Sequence, residues 1–280
     1  MNEYGPTPRG ATAEPTFLET VLARDRIVVI CGLIVVIAAA WIWIALGAGM
    51  DTAMTANMPE QQMPGMTMSV MTPASWTPGY AALMFSMWWI MMVAMMLPSA
   101  TPTLLLFARI NRKEKAGGRP YAPTAIFAAG YLAVWAGFSV IAAGLQWALE
   151  QTGLVSSMMA STSVWLGGTI LIAAGLWQLT PMKTVCLRHC RTPLSFLSGH
   201  WKPGHLGAFR MGLEHGAYCV GCCWFLMGLL FVGGIMNLYW IAGLAAYVLI
   251  EKTIPFGHWV SRVAGAALLI WGAALLFASA

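Results

Sequence analysis

The chain has 280 residues, of which 59% are hydrophobic and only 9% are charged, and its formal net charge is +5. Soluble domains carry roughly 25% charged residues, so this composition excludes an ordinary soluble protein. It predicts an all-α fold, a polytopic transmembrane helical bundle, and gives no support for binding to nucleic acid.

Apolar stretches recur along the chain with about the 20 residues that a membrane-spanning helix needs. A cytoplasmic N-terminal tail, residues 1–26, is predicted to precede a single transmembrane domain, residues 27–280. The predicted spans are 27–49, 79–108, 124–149, 163–181, 217–236, 238–254 and 260–279. Because the fifth and sixth spans are close enough to form one helical hairpin, six spans is the alternative to seven.

The distribution of positive charge predicts the orientation, because lysine and arginine collect in cytoplasmic loops. With seven spans and a cytoplasmic N-terminus, all 15 basic residues fall on one side, including Arg112 and Lys202. The opposite side carries only Asp51, Glu60 and Glu150. We therefore predict a multi-pass protein of the bacterial cytoplasmic (inner) membrane, in contact with the lipid bilayer.

A methionine-rich external loop is predicted at residues 50–78, after the first span. Seven methionines lie between positions 50 and 71 of this polar segment, where a hydrophobic core does not explain them. Thioethers bind Cu(I) but hold zinc poorly, so Met63, Met66 and Met68 are candidates for external copper capture. A loop enriched in methionine without function is the alternative.

The second predicted span continues this enrichment. Met84, Met87, Met91 and Met95 follow a helical spacing and form one stripe, with Met92 and Met96 beside it. Methionine also fills irregular cores, so core packing and a metal path both remain open here.

A cysteine and histidine connection is predicted at residues 182–216, on the cytoplasmic side, and it leads into the fifth span. A reducing cytoplasm disfavours structural disulfides and favours metal ligation or catalytic thiols. On the fifth span, His215, Cys219, Cys223 and Met227 recur every four residues and so share a helical face. The candidate metal ligands are Cys186, Cys190, Cys219, Cys222, Cys223, His215, His189 and Met227.

Two ionisable residues close the sixth predicted span. Ionisable groups next to membrane helices are functional candidates by default. Glu251 is predicted to orient a ligand histidine, and Lys252 is grouped with it as supporting the ligands.

Thiolates and thioethers favour Cu(I) as the bound ion, with zinc as the alternative. The sequence thus predicts a membrane protein that binds a soft metal ion for copper delivery or transport, with a membrane metalloenzyme or a metallochaperone as partner. One alternative is a membrane thiol–disulfide oxidoreductase that uses the pair Cys219 and Cys222. Another is an accessory membrane subunit with a structural zinc site. No nucleotide-binding or phosphorylation motif appears, and we do not expect an enzyme.

Four groups of residues together resemble a known family. They are Met87-Trp88-Trp89, Met91-Met92 and Ala94-Met95-Met96-Leu97-Pro98; Lys183, Cys186, Cys190 and Pro193; Gly212, His215-Gly216, Cys219, Gly221-Cys222-Cys223-Trp224 and Met227; and Glu251-Lys252. The chain resembles, over roughly residues 80 to 260, a bacterial family of predicted metal-binding integral membrane proteins that carry a domain of unknown function. The resemblance implies a multi-helix membrane protein with metal ligands at these cysteines, and it implies no particular reaction.

Overall fold

The computed structural model describes residues 17–49, 76–118, 122–154 and 163–278, and these residues form helices without any strand. The methionines Met63, Met66 and Met68 of the predicted external loop lie outside the described residues. The helices are α1 (Phe17–Ala45), α2 (Pro78–Ala116), α3 (Thr124–Gln151), α4 (Val164–Leu179), α5 (Pro181–Arg191), α6 (Pro193–His200), α7 (Gly204–Gly228), α8 (Leu230–Gly233), α9 (Leu238–Thr253) and α10 (Gly257–Ala278).

Within the described residues, five helices are long and apolar enough to cross a membrane, and a sixth span results if the bent pair α4 and α5 counts as one. The prediction of seven spans is therefore wrong. The predicted sixth span corresponds to α9, whose 16 residues extend only about 24 Å at 1.5 Å per residue, against a hydrocarbon core of about 30 Å. The alternative of six spans agrees with the upper count, but through the bent pair and not through a hairpin of the fifth and sixth spans.

The bend between α4 and α5 is 67°, and local sequence accounts for it. Thr180 is extended, and its hydroxyl accepts a hydrogen bond from the Lys183 amide at 3.2 Å, which caps the start of α5. Pro181 occupies the first turn, where its missing N–H costs nothing. The chain therefore turns at Thr180 and starts a new helix that carries Cys186 and Cys190.

The predicted connection 182–216 contains helical structure through most of its length, namely α5, α6 and the first half of α7. The helix expected to begin near residue 217 begins at Gly204. As a result, His215 and Cys219 lie inside a long helix rather than at its first turn.

Close contact between α3 and α7 brings the thiols of α7 against the side chains of α3. A Cβ on Gly130 would lie 2.2 Å from the Phe209 carbonyl oxygen, and a Cβ on Gly212 would lie 2.1 Å from that of Phe127. Only glycine permits backbones to approach this closely. The same close approach places Tyr131 beside α7.

The rest of the bundle surrounds α2, which packs against α1, α3 and α9, while α5 packs on α7 and α4 on α10. Helix α2 continues through Pro98 and Pro102 without a break in its assignment. Residues from four helices, α2, α3, α7 and α9, thereby meet in the interior.

Candidate metal centre

Four thiols meet inside the bundle where α5 faces α7. This thiol cluster consists of Cys190, Cys219, Cys222 and Cys223, all buried and all free. Cys190 is buried on α5, which packs against α7. The Cys222 and Cys223 thiols donate to the Cys219 carbonyl oxygen at 3.1 and 2.9 Å. The helical spacing on α7 thus places three thiols together, and α5 supplies the fourth.

Lys252, near the end of α9, points into this cluster. Its side chain is only 7% exposed, and its ammonium donates to the Cys219 sulfur at 2.9 Å and to the Ser99 hydroxyl at 3.3 Å. A buried ammonium without an anion nearby costs several kcal/mol. The position of Lys252 therefore favours negative charge on the thiol cluster, and its role is direct contact with a thiol rather than indirect support.

Tyr131 and Met96 complete the surroundings of the cluster. The Tyr131 hydroxyl lies 3.0 Å from the Cys219 sulfur and 3.2 Å from the Met96 carbonyl oxygen. The Cys223 and Met96 sulfur atoms are 3.9 Å apart, so a thioether borders the thiols. The sequence analysis did not include Tyr131 among the site residues, because it lies on another helix and belongs to no cysteine or histidine spacing. Met96 was noted beside the stripe on α2 and among the residues of the family resemblance, but not as a ligand.

Glu251 takes a different position from the one predicted. Its Oε1 accepts hydrogen bonds from Lys183 at 2.5 Å, Ser261 at 2.5 Å and Tyr247 at 3.1 Å, and the carboxylate is fully buried. It forms an ion pair with Lys183 and contacts no ligand histidine through these bonds. The pair ties the end of α9 to α5, and this contact positions the neighbouring Lys252.

The two candidate histidines occupy different places. His215 is buried, with the rings of Phe127, Tyr131 and Phe196 around it at 5.2 to 6.1 Å between centroids. Its Nδ1 has no hydrogen-bond partner within the described part of the chain. His189 instead stacks on Tyr218 at 4.1 Å, so its ring packs against an aromatic neighbour.

The remaining candidates lie at the edge of the cluster or beyond it. Cys186 is half-buried, and its sulfur would be 3.0 Å from a Cβ on Gly221, so it lies at the edge on the α5 side. Met227 is fully buried one turn after Cys223. Cys31 is exposed on α1.

The cluster is not a preformed metal polyhedron. Among the residues that the structure describes, no three or more Cys, His, Asp or Glu side chains are arranged to hold a metal ion. The Cys222 and Cys223 thiols instead donate to the Cys219 carbonyl oxygen. Soft sulfur donors without carboxylates are nevertheless the donor set that Cu(I) prefers, and an ion with low coordination needs only two of them.

The position of the Cys219 and Cys222 pair bears on thiol redox chemistry. Thiols at a helix N-terminus become reactive because the helix dipole stabilises the thiolate, and this effect falls off within the first turn. Cys219 lies in the middle of α7, which begins at Gly204. The oxidoreductase hypothesis thus loses the helix-start argument on which it depended.

Comparison with known families gives one match. A family model described as PpoB2, copper chaperone, matches residues 85–275, a range that contains the thiol cluster, Lys252, Tyr131 and Met96. This match agrees with the resemblance to a metal-binding family. Comparison with curated proteins and with solved structures finds no match.

Proposed function

The chain belongs to the PpoB2 copper chaperone family, and from this premise we propose that it binds Cu(I) in the thiol cluster within a membrane and delivers it to a partner protein or across the bilayer. The observation that carries the proposal is the buried contact between Lys252 and Cys219 in a set of four thiols. Sulfur donors supply the affinity for a soft ion.

Charge balance favours Cu(I) over zinc. Two thiolates and one Cu(I) ion carry a single net negative charge, which the one positive charge of Lys252 neutralises. Four thiolates and one zinc ion carry two net negative charges, so Lys252 leaves one uncompensated. Because an uncompensated charge in a low-dielectric interior costs several kcal/mol, the site fits Cu(I) with two thiolates.

We assign Cys219 as the first ligand because its sulfur contacts the ammonium of Lys252. Either Cys190 or Cys222 supplies the second thiolate, since both are buried in the same cluster as Cys219. Cys223 and the Met96 thioether are within reach of the same ion. Cys186, half-buried at the edge, is suited to exchange copper with a partner protein.

Orientation and partners follow from the same proposal. We place the thiol cluster at the cytoplasmic end of the bundle, because Lys183, Arg188 and Arg191 lie close to Cys190 in the sequence and basic residues collect on the cytoplasmic side. The bacterial cytoplasmic membrane, a cytoplasmic N-terminus, and a membrane metalloenzyme or metallochaperone as partner remain part of this proposal. External capture by Met63, Met66 and Met68 is a further part of it.

Metal content of the purified full chain tests the proposal. We expect one tightly bound copper ion per chain with sulfur coordination in X-ray absorption spectra, lost in Cys219→Ser and retained in the control Cys31→Ser. Cys31 is exposed on α1, so its removal leaves the cluster unaltered. Full copper occupancy in both Cys190→Ser and Cys219→Ser would contradict the proposed site.

The same measurement separates the alternative functions. Tight zinc in place of copper would support a structural zinc site and overturn the charge argument. A chain without metal that shows a dithiol–disulfide transition dependent on Cys219 and Cys222 would support the oxidoreductase.

A further inference from the structure

A second polar cluster lies at the far end of the same helices, away from the thiols. This carboxylate end consists of Trp76, Met84, Trp88, Gln146 and Glu150. The Gln146 amide nitrogen donates to Glu150 Oε1 at 2.8 Å and to the Met84 sulfur at 3.4 Å. The indoles of Trp76 and Trp88 donate to Glu150 Oε2 at 2.7 Å and to Gln146 Oε1 at 2.8 Å. These bonds hold a carboxylate and a thioether on either side of one fully buried amide.

The charge at this end is unbalanced. Glu150 is half-buried, and no lysine or arginine pairs with it among the residues that the structure describes. Neither residues 27–108 nor residues 120–182 contain a basic residue. An ionisable residue near a membrane helix is a functional candidate by default. The negative charge of Glu150 is therefore available to a cation.

A row of buried methionines links this end to the thiol cluster. It consists of Met84, Met87, Met91, Met92, Met95 and Met96 on α2, each at most 1% exposed. Residues three and four apart on a helix are neighbours, so Met84, Met87, Met91 and Met95 lie on successive turns. From Met84 to Met96 the helix rises about 18 Å at 1.5 Å per residue.

Sulfur contacts mark both ends of this row. At one end the Met84 sulfur contacts the Gln146 amide. At the other end the Met96 sulfur lies 3.9 Å from the Cys223 sulfur. Leucine would fill the same volume with about the same helix propensity. What methionine adds over leucine is a polarisable sulfur that binds Cu(I).

We propose that Met84 and Glu150 form a second Cu(I) site at the carboxylate end, and that the methionine row passes the ion from there to the thiol cluster. Cu(I) would take the thioether of Met84 as its soft ligand, and the carboxylate of Glu150 would balance its charge. The relay rests on the proposed function, because the thiol cluster is its destination. Since thiolates bind Cu(I) more strongly than thioethers, the ion moves toward the cluster.

The second site is tested by titrating the full-length chain in detergent with Cu(I) against a competing chelator. We expect a strongly bound first equivalent and a weaker second one. Met84→Leu and Glu150→Gln should each weaken the second equivalent by at least about tenfold and leave the first unchanged. Met211→Leu is the matched control, because Met211 is equally buried but lies on α7.

Absence of a second equivalent, or a second equivalent that neither substitution weakens, would overturn the second site. A wild-type chain that lacks the strongly bound first equivalent but keeps the weaker one would instead contradict the thiol site. The two failures are therefore distinguishable.

The relay is tested in vesicles in which the protein is oriented with its carboxylate end facing the outside. Met91→Leu should slow filling of the thiol cluster by roughly tenfold when Cu(I) is added outside, whereas Met211→Leu should fill at the wild-type rate. Both variants should bind the first equivalent with wild-type affinity in detergent. Equal filling rates for Met91→Leu and the wild type would overturn the relay.

Discussion

The substitution Lys252→Met tests the charge argument on which the choice of metal depends. It puts an unbranched apolar side chain in place of the lysine and removes the ammonium that contacts the Cys219 sulfur at 2.9 Å. In the metal-free protein the change is tolerable, because the Cys219 thiol can hold its proton once the ammonium is gone and no uncompensated buried charge is left. In the copper-bound protein it leaves one negative charge without compensation.

The expected loss of affinity follows from this distance. Two unit charges 2.9 Å apart interact by about 6 kcal/mol at an effective dielectric constant of about 20. Measured hydrogen bonds to charged groups contribute less, about 1.5 to 3 kcal/mol net, because charged groups also lose hydration. At 1.4 kcal/mol per factor of ten, Lys252→Met should weaken Cu(I) binding by about 10- to 150-fold.

Competition with a Cu(I) chelator measures this affinity in the purified chain, and circular dichroism confirms that the helices persist. Lys252→Arg keeps the charge and should recover part of the affinity. Lys113→Met removes an exposed lysine and should change nothing. Wild-type affinity in a folded Lys252→Met variant would refute the charge argument, and zinc would then fit the thiols as well as Cu(I) does.

Three further outcomes are expected. Gly212→Ala should lower the free energy of unfolding by about 1 to 3 kcal/mol, because its Cβ would lie 2.1 Å from the Phe127 carbonyl oxygen; Gly137→Ala, where nothing lies within 4 Å, should show no loss in the same unfolding assay. Copper occupancy should fall as the pH is lowered, since thiols must lose protons to bind the ion, and occupancy that stays constant down to acidic pH would argue against thiolate ligands. Site-directed labelling should place the loops of Arg112 and Lys202 in the cytoplasm, and labelling of Lys202 from outside would reverse the proposed orientation.

Local properties of the sequence were sufficient for the all-helical class of the fold and for part of the site. Composition predicted helices with apolar stretches of about 20 residues, and within the described residues five to six helices are long and apolar enough to cross a membrane. The four-residue spacing of Cys219 and Cys223 placed them on one face of α7, where the structure has them together. Spacing along one helix is predictable because the helix repeat is constant.

Span lengths and the partners of the charged residues depended on tertiary structure. Hydropathy does not show where a helix stops. The sequence therefore did not predict the bend at Thr180 or the shortness of α9, and seven spans were predicted. Glu251 and Lys252 are adjacent in sequence, yet one pairs with Lys183 and the other contacts Cys219. Adjacent residues on a helix point about 100° apart, and only the packing of neighbouring helices decides what each one meets.

The site itself is therefore a product of helix packing. Tyr131 reaches Cys219 from α3, 88 positions away in the chain, and Lys252 reaches Ser99 on α2 across 153 positions. No periodicity in the sequence connects such positions. What brings them together is the close approach of backbones at Gly130 and the burial of α2 and α7 in the same core, which depend on the shapes of all the helices at once.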